Sequence, residues 1–180
     1  MRLGLLLLLC FLSGCSEGDR GSLEGEFLVV RACDGAEDAI FEPYQLLPDF
    51  FALERLGEGA FLRVQRGGKP LHRSDALVME ITDPSFIEKR LGVPIPFDSP
   101  RVRATLHLAG TCPGTNQAMS AQTGTITFQA YGNETGSRVV ASYSFDLFDD
   151  RSGEVVGLDF RGELDFIVRT GQPYQPFAGQ

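Results

Sequence analysis

His72 and His107 are the only two histidines in the 180-residue chain, so any imidazole-based proton transfer must use one of them. His72 sits in Lys69-Pro70-Leu71-His72-Arg73-Ser74-Asp75, a polar stretch that reads as a turn. His107 falls on the polar side of an alternating run. Both contexts predict a solvated ring. The hydrolase elbow G-x-S-x-G, the zinc-protease pattern H-E-x-x-H, the P-loop and the dinucleotide glycine motif do not occur in the sequence. Lys69 and Lys89 are the only lysines, and two histidines are too few for a histidine-cluster metal centre. No catalytic residue, metal ligand or cofactor is assigned.

Carboxylates are the remaining chemistry. Asp159, Glu163 and Asp165 alternate along one strand face, where a glycosidase-type acid pair would have to form. Arg161 and Arg169 interleave with them, which predicts a solvated face of mixed charge with every acid ionised. Asp146, Asp149, Asp150, Glu154 and Asp159 crowd the last hairpin with the oxygen donors that calcium prefers. An EF-hand loop would need an acid where Phe148 stands, so that motif fails and calcium at this hairpin stays open. With 24 acidic and 16 basic residues, net charge −8 and a pI near 4.7, nucleic acid is excluded as a partner.

Four cysteines divide into two groups. Cys10 and Cys15 lie in the opening MRLGLLLLLCFLSGC. There Arg2 gives a short basic region and residues 3–12 an apolar run, too short for a helix crossing about 30 Å of hydrocarbon. The run fits a secretory signal. Cys33 and Cys112 would remain in the exported chain and most simply form one disulfide; free buried thiols are the alternative. The loop closed would be worth roughly 4 kcal/mol in the chain-entropy model.

Leu12-Ser13-Gly14-Cys15 resembles the lipobox of bacterial lipoproteins. The resemblance implies that Cys15 becomes lipidated on sulfur and that the peptide is cut just before it. The membrane is then reached through lipid on Cys15. Two or three acyl chains, at about 0.8 kcal/mol per buried methylene, make a stable anchor. Ser16 in place of the aspartate that favours inner-membrane retention points to the outer membrane of the cell envelope. Residues 110–177 also resemble the C-terminal half of uncharacterised envelope lipoproteins from bacteria with large genomes, a likeness that implies no activity and no site. The chain therefore divides into a signal peptide at 1–14, the lipidated cysteine and a flexible Gly/Ser-rich tether at 15–22, and one β-rich domain at 23–180. Cleavage removes Arg2 and no acid, leaving 15 basic and 24 acidic residues. So acidic a domain is expected to stand off from an anionic surface.

The elements that would hold any site are strands. Period-two alternation runs through 101–108, 125–131, 139–147 and 156–168. Phe145, Leu158, Phe160 and Phe166 are predicted on the buried side, with Arg161, Glu163 and Asp165 wet. Asp150-Arg151-Ser152-Gly153 reads as a turn. Carried along a plain hairpin with Asp149 facing Glu154, its register sets Tyr143 opposite Phe160 and Leu147 opposite Val156, with Arg138 beside Asp165. Further strands are read at 25–33, 51–56, 61–66 and 76–82, and a short helix from cap Asp83 and Pro84 to Gly92. Residues 34–48 have no clear period, and 93–100 hold three prolines and read as a loop. The sum is about eight strands and one short helix, an all-β antiparallel sandwich or partly closed barrel.

These features predict a non-catalytic, envelope-anchored structural or interaction module that binds a protein or glycan partner. A lipocalin-like carrier of a lipid or other apolar ligand is the alternative, and a hydrolase with an unfamiliar site a third. A filled interior favours the first and a large apolar cavity the second. A cleft joining a histidine to a carboxylate favours the third.

Overall fold

A computed structural model describes residues 18–30, 39–66, 74–108 and 119–169. Eleven strands and one helix follow in order: β1 (Arg20–Val30), β2 (Ala39–Leu46), β3 (Phe50–Leu56), β4 (Gly59–Gln65), β5 (Ala76–Ile81), α1 (Pro84–Glu88), β6 (Ile95–Pro96), β7 (Val102–His107), β8 (Met119–Ala121), β9 (Thr125–Ala130), β10 (Arg138–Asp149) and β11 (Val155–Ile167). All strands belong to one antiparallel sheet curled into a half-barrel of nine strands, in the order β2-β1-β11-β10-β8-β7-β5-β4-β3. β9 lies beside β8 on the same edge of β10 and carries β6.

Chain connectivity forces the curl. β2 and β3 end the path on opposite sides, and nine flat strands at about 4.8 Å spacing would hold them roughly 38 Å apart. Only residues 47–49 join them, a reach of about 14 Å from Leu46 to Phe50. The sheet must bend until its two ends meet. Phe51 of β3 stacks on Phe166 of β11, ring centroids 5.5 Å apart, and the Tyr44 hydroxyl of β2 donates to Asp75 at 3.2 Å. Among the described residues no ladder pairs β2 with β3, so the barrel is only partly closed.

One core fills the curl. Leu23, Leu62, Met79, Leu106, Phe128 and Phe160 come from six strands and are almost fully buried. Tyr143 is buried too, and its hydroxyl donates to Ser22 O at 2.9 Å, tying β10 to β1 across β11. Asp83 caps α1 by accepting the Phe86 N–H at 3.1 Å, with Pro84 in the first turn. The helix stops at Glu88, short of Gly92, which sits in a following turn at φ +75°.

Several expectations change. The eight predicted strands are present; β2, β6 and β8 are added. Residues 34–48 were expected to wander, but Ala39–Leu46 pair residue by residue with β1. Prolines do not forbid this, because β2 ends the sheet and Pro43 costs no interior ladder bond. Residues 20–22, expected in the tether, already pair with β11. The hairpin register also departs from the plain pattern. Asp149 does face Glu154, its N–H donating to Glu154 O at 2.9 Å, and the turn glycine Gly153 has φ +72°. Between the pairs Phe148–Val155 and Phe145–Phe160, however, β10 advances three residues and β11 five. Two irregularities restore the parity, so Phe145, Phe160 and Phe166 are buried as expected, but Tyr143 meets Gly162 and Leu147 meets Gly157. Leu158 falls within the irregular stretch and is only half-buried. Asp165, expected wet, is buried under the fork of Arg138.

Candidate functional site

The irregular stretch of β11 makes the most distinctive surface of the domain. Opposite β1, the register slips between the pairs Glu24–Arg161 and Glu26–Leu158, so the extra residue, Asp159, bulges with respect to both neighbours. Asp159 has φ +52°, the one positive value outside glycine among the described residues. Aspartate tolerates this left-handed conformation better than branched or bulky residues do. Its N–H turns to the Asp146 carboxylate of β10, which accepts it at 3.0 Å. The other oxygen of Asp146 accepts the Thr123 hydroxyl at 3.1 Å, and Thr123 Oγ1 in turn accepts the Asp146 N–H at 3.3 Å.

Around the bulge an open groove of about 940 Å³ crosses four strands. Gln45 of β2, Glu24 and Glu26 of β1, Asp159 and Arg161 of β11, and Ser144 and Asp146 of β10 present their side chains to it, with Thr123 beyond. Arg161 Nε donates to Glu24 Oε1 at 3.0 Å, an exposed pair worth little in stability but one that orders both groups. Four carboxylates against one guanidinium leave the groove acidic. Gly25, Tyr44, Phe145 and Phe160 line it as well. Gly25 permits the close approach: a Cβ there would lie 2.8 Å from the Phe160 ring. Sequence reasoning singled out Asp146, Asp159 and Arg161 but missed Glu24, Glu26, Gln45 and Thr123. The alternation Leu23-Glu24-Gly25-Glu26-Phe27 was the available signal for the two glutamates, lost when the strand start was set at Gly25.

A second depression, about 770 Å³, lies over β4, β5, β7 and β8. It brings His107 to the same groove as Glu80, Ser120 and Asp150. The ring is half-buried rather than solvated, and burial depresses its pKa below the usual imidazole value. A hydrolytic triad would put imidazole between serine and acid. Here the Ser120 hydroxyl donates directly to Asp150.

Three of the five acids of the last hairpin, Asp146, Asp149 and Asp150, hold the local structure. Asp149 Oδ1 accepts the N–H groups of Arg151 at 2.7 Å and Ser152 at 3.3 Å, closing the turn. Asp150 serves Ser120, and Asp146 serves the bulge. Among the described residues no group of three or more His, Cys, Asp or Glu side chains is gathered to hold a metal ion. Of the three acids expected on one open face, Asp159 sits in the groove, Glu163 is exposed, and Asp165 is held between Arg138 and Arg20. The Arg138 hydrogen bonds, at 2.7 and 2.6 Å, keep the Asp165 carboxyl below the ordinary aspartate range. Cys15, Cys33, Cys112 and His72 lie outside the described residues. No described helix is long and apolar enough to cross a membrane. Comparison with protein-family models, curated proteins and solved structures finds no match to this chain.

Proposed function

We propose that this protein is a non-catalytic interaction module of the bacterial envelope, anchored through lipid on Cys15, that holds a protein or glycan partner in the acidic groove at Asp159. The observation that carries the reading is the contrast between inside and outside. Inside, the aromatic rings of Phe51 and Phe166 and of Phe145 and Phe160 stack in pairs and Phe128 packs edge-to-face on Tyr131, which supports a packed core over a carrier's cavity. Outside, carboxylate, amide, hydroxyl and guanidinium groups converge on one open groove, the mixture that recognises a polar chain. The oxygens of Asp146 are engaged by Thr123 and the Asp159 N–H, which supports positioning rather than proton transfer. The Ser120–Asp150 bond likewise speaks against a serine nucleophile at His107.

The test is calorimetric titration of the mature protein with soluble envelope-glycan fragments, with a basic peptide, and with a long-chain fatty acid. The expected result is saturable binding of a glycan or peptide that Asp159→Lys weakens at least tenfold. Saturable fatty-acid binding indifferent to that substitution would make the protein a carrier. Turnover of an esterase, glycosidase or peptidase substrate that His107→Ala abolishes would make it an enzyme.

A further inference from the structure

Among the described residues, Asp19 ties the N-terminal segment to the end of β11. Its carboxylate accepts the Ile167 N–H at 3.1 Å and pairs with Arg169. Arg20 follows at once, opening β1 opposite Asp165. β10 starts at the same end, with Arg138 opposite Ile167. Four peptide links separate Cys15 from Asp19, a reach of at most about 14 Å. A diacylglyceryl group on Cys15 holds its sulfur within the headgroup layer, which is roughly 5–8 Å deep in each leaflet. A leash that short cannot let a domain of this size turn freely.

Uncovered aliphatic side chains gather at that same end. Leu47, 59% exposed, precedes Pro48, whose ring lies against Gly21 of β1. Ile167 is exposed beside Arg138. Leu91 and Val93, both exposed, flank Gly92, whose N–H donates to Phe128 O; Phe128 pairs with Ala141, three residues into β10. Leu56, 68% exposed, ends β3 beside Arg55, which pairs with Ala60, Ala60 with Ile81 and Ile81 with Val102, the first residue of β7, a strand that runs in the same direction as β10. Five of the eight exposed large hydrophobics among the described residues thus lie around the anchored end. Ile40, Phe41 and Val155 are at the other. Single exposed aliphatics need no explanation, but a collection on one end does. Arg20, Arg138 and Arg169 are each about half-exposed there.

We propose that this end of the half-barrel, marked by Leu47, Leu56, Leu91, Val93 and Ile167, is seated on the lipid surface that holds Cys15. The occupant is the bilayer, met at headgroup depth. The proposal rests on the lipid-anchor reading. It replaces the expectation that the acidic domain stands off, because at this end the carboxylates of Asp19 and Asp165 are each paired with arginine and aliphatic side chains are exposed beside them. It also says how the groove is presented. Glu24 and Glu26 lie four and six residues up β1 from Arg20, about 13–20 Å above that end, so the groove opens to the side, clear of lipid.

The test uses the lipidated mature chain in vesicles of phosphatidylethanolamine and phosphatidylglycerol carrying a nitroxide on some headgroups. A fluorophore is placed at Leu56→Cys, at Leu91→Cys, or at Ser152→Cys on the opposite turn, with the parent chain as labelling blank. Quenching at positions 56 and 91 is expected to exceed that at 152 several-fold. Equal quenching at the three positions, or more at 152, overturns the proposal. Mass spectrometry on the same samples separates the two readings. Lipid on Cys15 with uniform quenching overturns the orientation alone, whereas an unmodified Cys15 overturns the anchor and the orientation with it.

Discussion

Phe160→Ala and Leu158→Ala should differ sharply, although alternation in the sequence ranks the two positions alike. Phe160 is fully buried, stacked offset-parallel on Phe145 with centroids 5.8 Å apart and tilted against Tyr44 at the same distance. Losing a fully buried phenylalanine side chain forfeits about 2–3 kcal/mol of transfer free energy. The void left, on the order of 100 Å³, adds about 1–2 kcal/mol at roughly 24 cal/mol per Å³ if the walls relax by a third to a half. The aromatic contacts add a further fraction that overlaps these terms. The expected loss is about 4 kcal/mol, a large share of a small domain's whole stability. Leu158 is half-buried within the bulge and lies outside the core cluster, so truncation removes part of one side chain's transfer term and opens no cavity. About 1 kcal/mol is expected there. Equilibrium urea unfolding of both variants, with the denaturant slope unchanged, reads the difference directly. Equal losses at the two positions would mean that Leu158 and Phe160 face the same way, and the bulge around Asp159 would be refuted.

Asp159→Gly should be nearly neutral for stability, within about 0.5 kcal/mol, because glycine accepts the positive φ without strain, whereas Asp159→Val should lose about 1–2 kcal/mol in the same unfolding assay. Asp165→Asn should cost about 1 kcal/mol, since it weakens a two-pronged bond to Arg138 whose guanidinium is half exposed. Its depressed pKa makes that contribution complete above the unfolded aspartate value near 3.9 and lost as pH falls through the lower folded value, so the stability lost on acidification should be smaller in Asp165→Asn. His107 acts in another window. Its folded pKa is depressed by burial, so its contribution is complete above about 6.5 and declines as pH falls from there toward the folded value. His107→Gln should flatten the stability profile below about pH 6.5. Thiol counting on the unfolded, unreduced mature chain should find no free thiol at Cys33 or Cys112.

Local chemistry determined much of this protein. The alternation of Val102, Ala104 and Leu106, and of Val139, Ala141, Tyr143 and Phe145, fixed which faces are buried, because strand geometry turns side chains with period two. Asp83 and Pro84 fixed the start of α1, because capping needs only the next few residues. Composition and the first fifteen residues carried the whole expectation of an acidic, lipid-anchored chain without histidine chemistry. Tertiary structure decided the rest. β2 has no alternation that survives Pro43 and is a strand because β1 offers a free edge. The two extra residues in β11 leave the parity of the flanking residues intact, so no hydrophobic pattern could reveal them, yet they lift Asp159 into the groove. Asp165 and Glu163 share a face in the sequence, and the hairpin register already set Arg138 beside Asp165 as observed; that this contact buries one acid while the other stays wet was decided by the folded sheet. The groove itself joins β2 to β10 across more than a hundred residues of chain, and contacts at that separation follow from how the sheet curls and not from any local pattern.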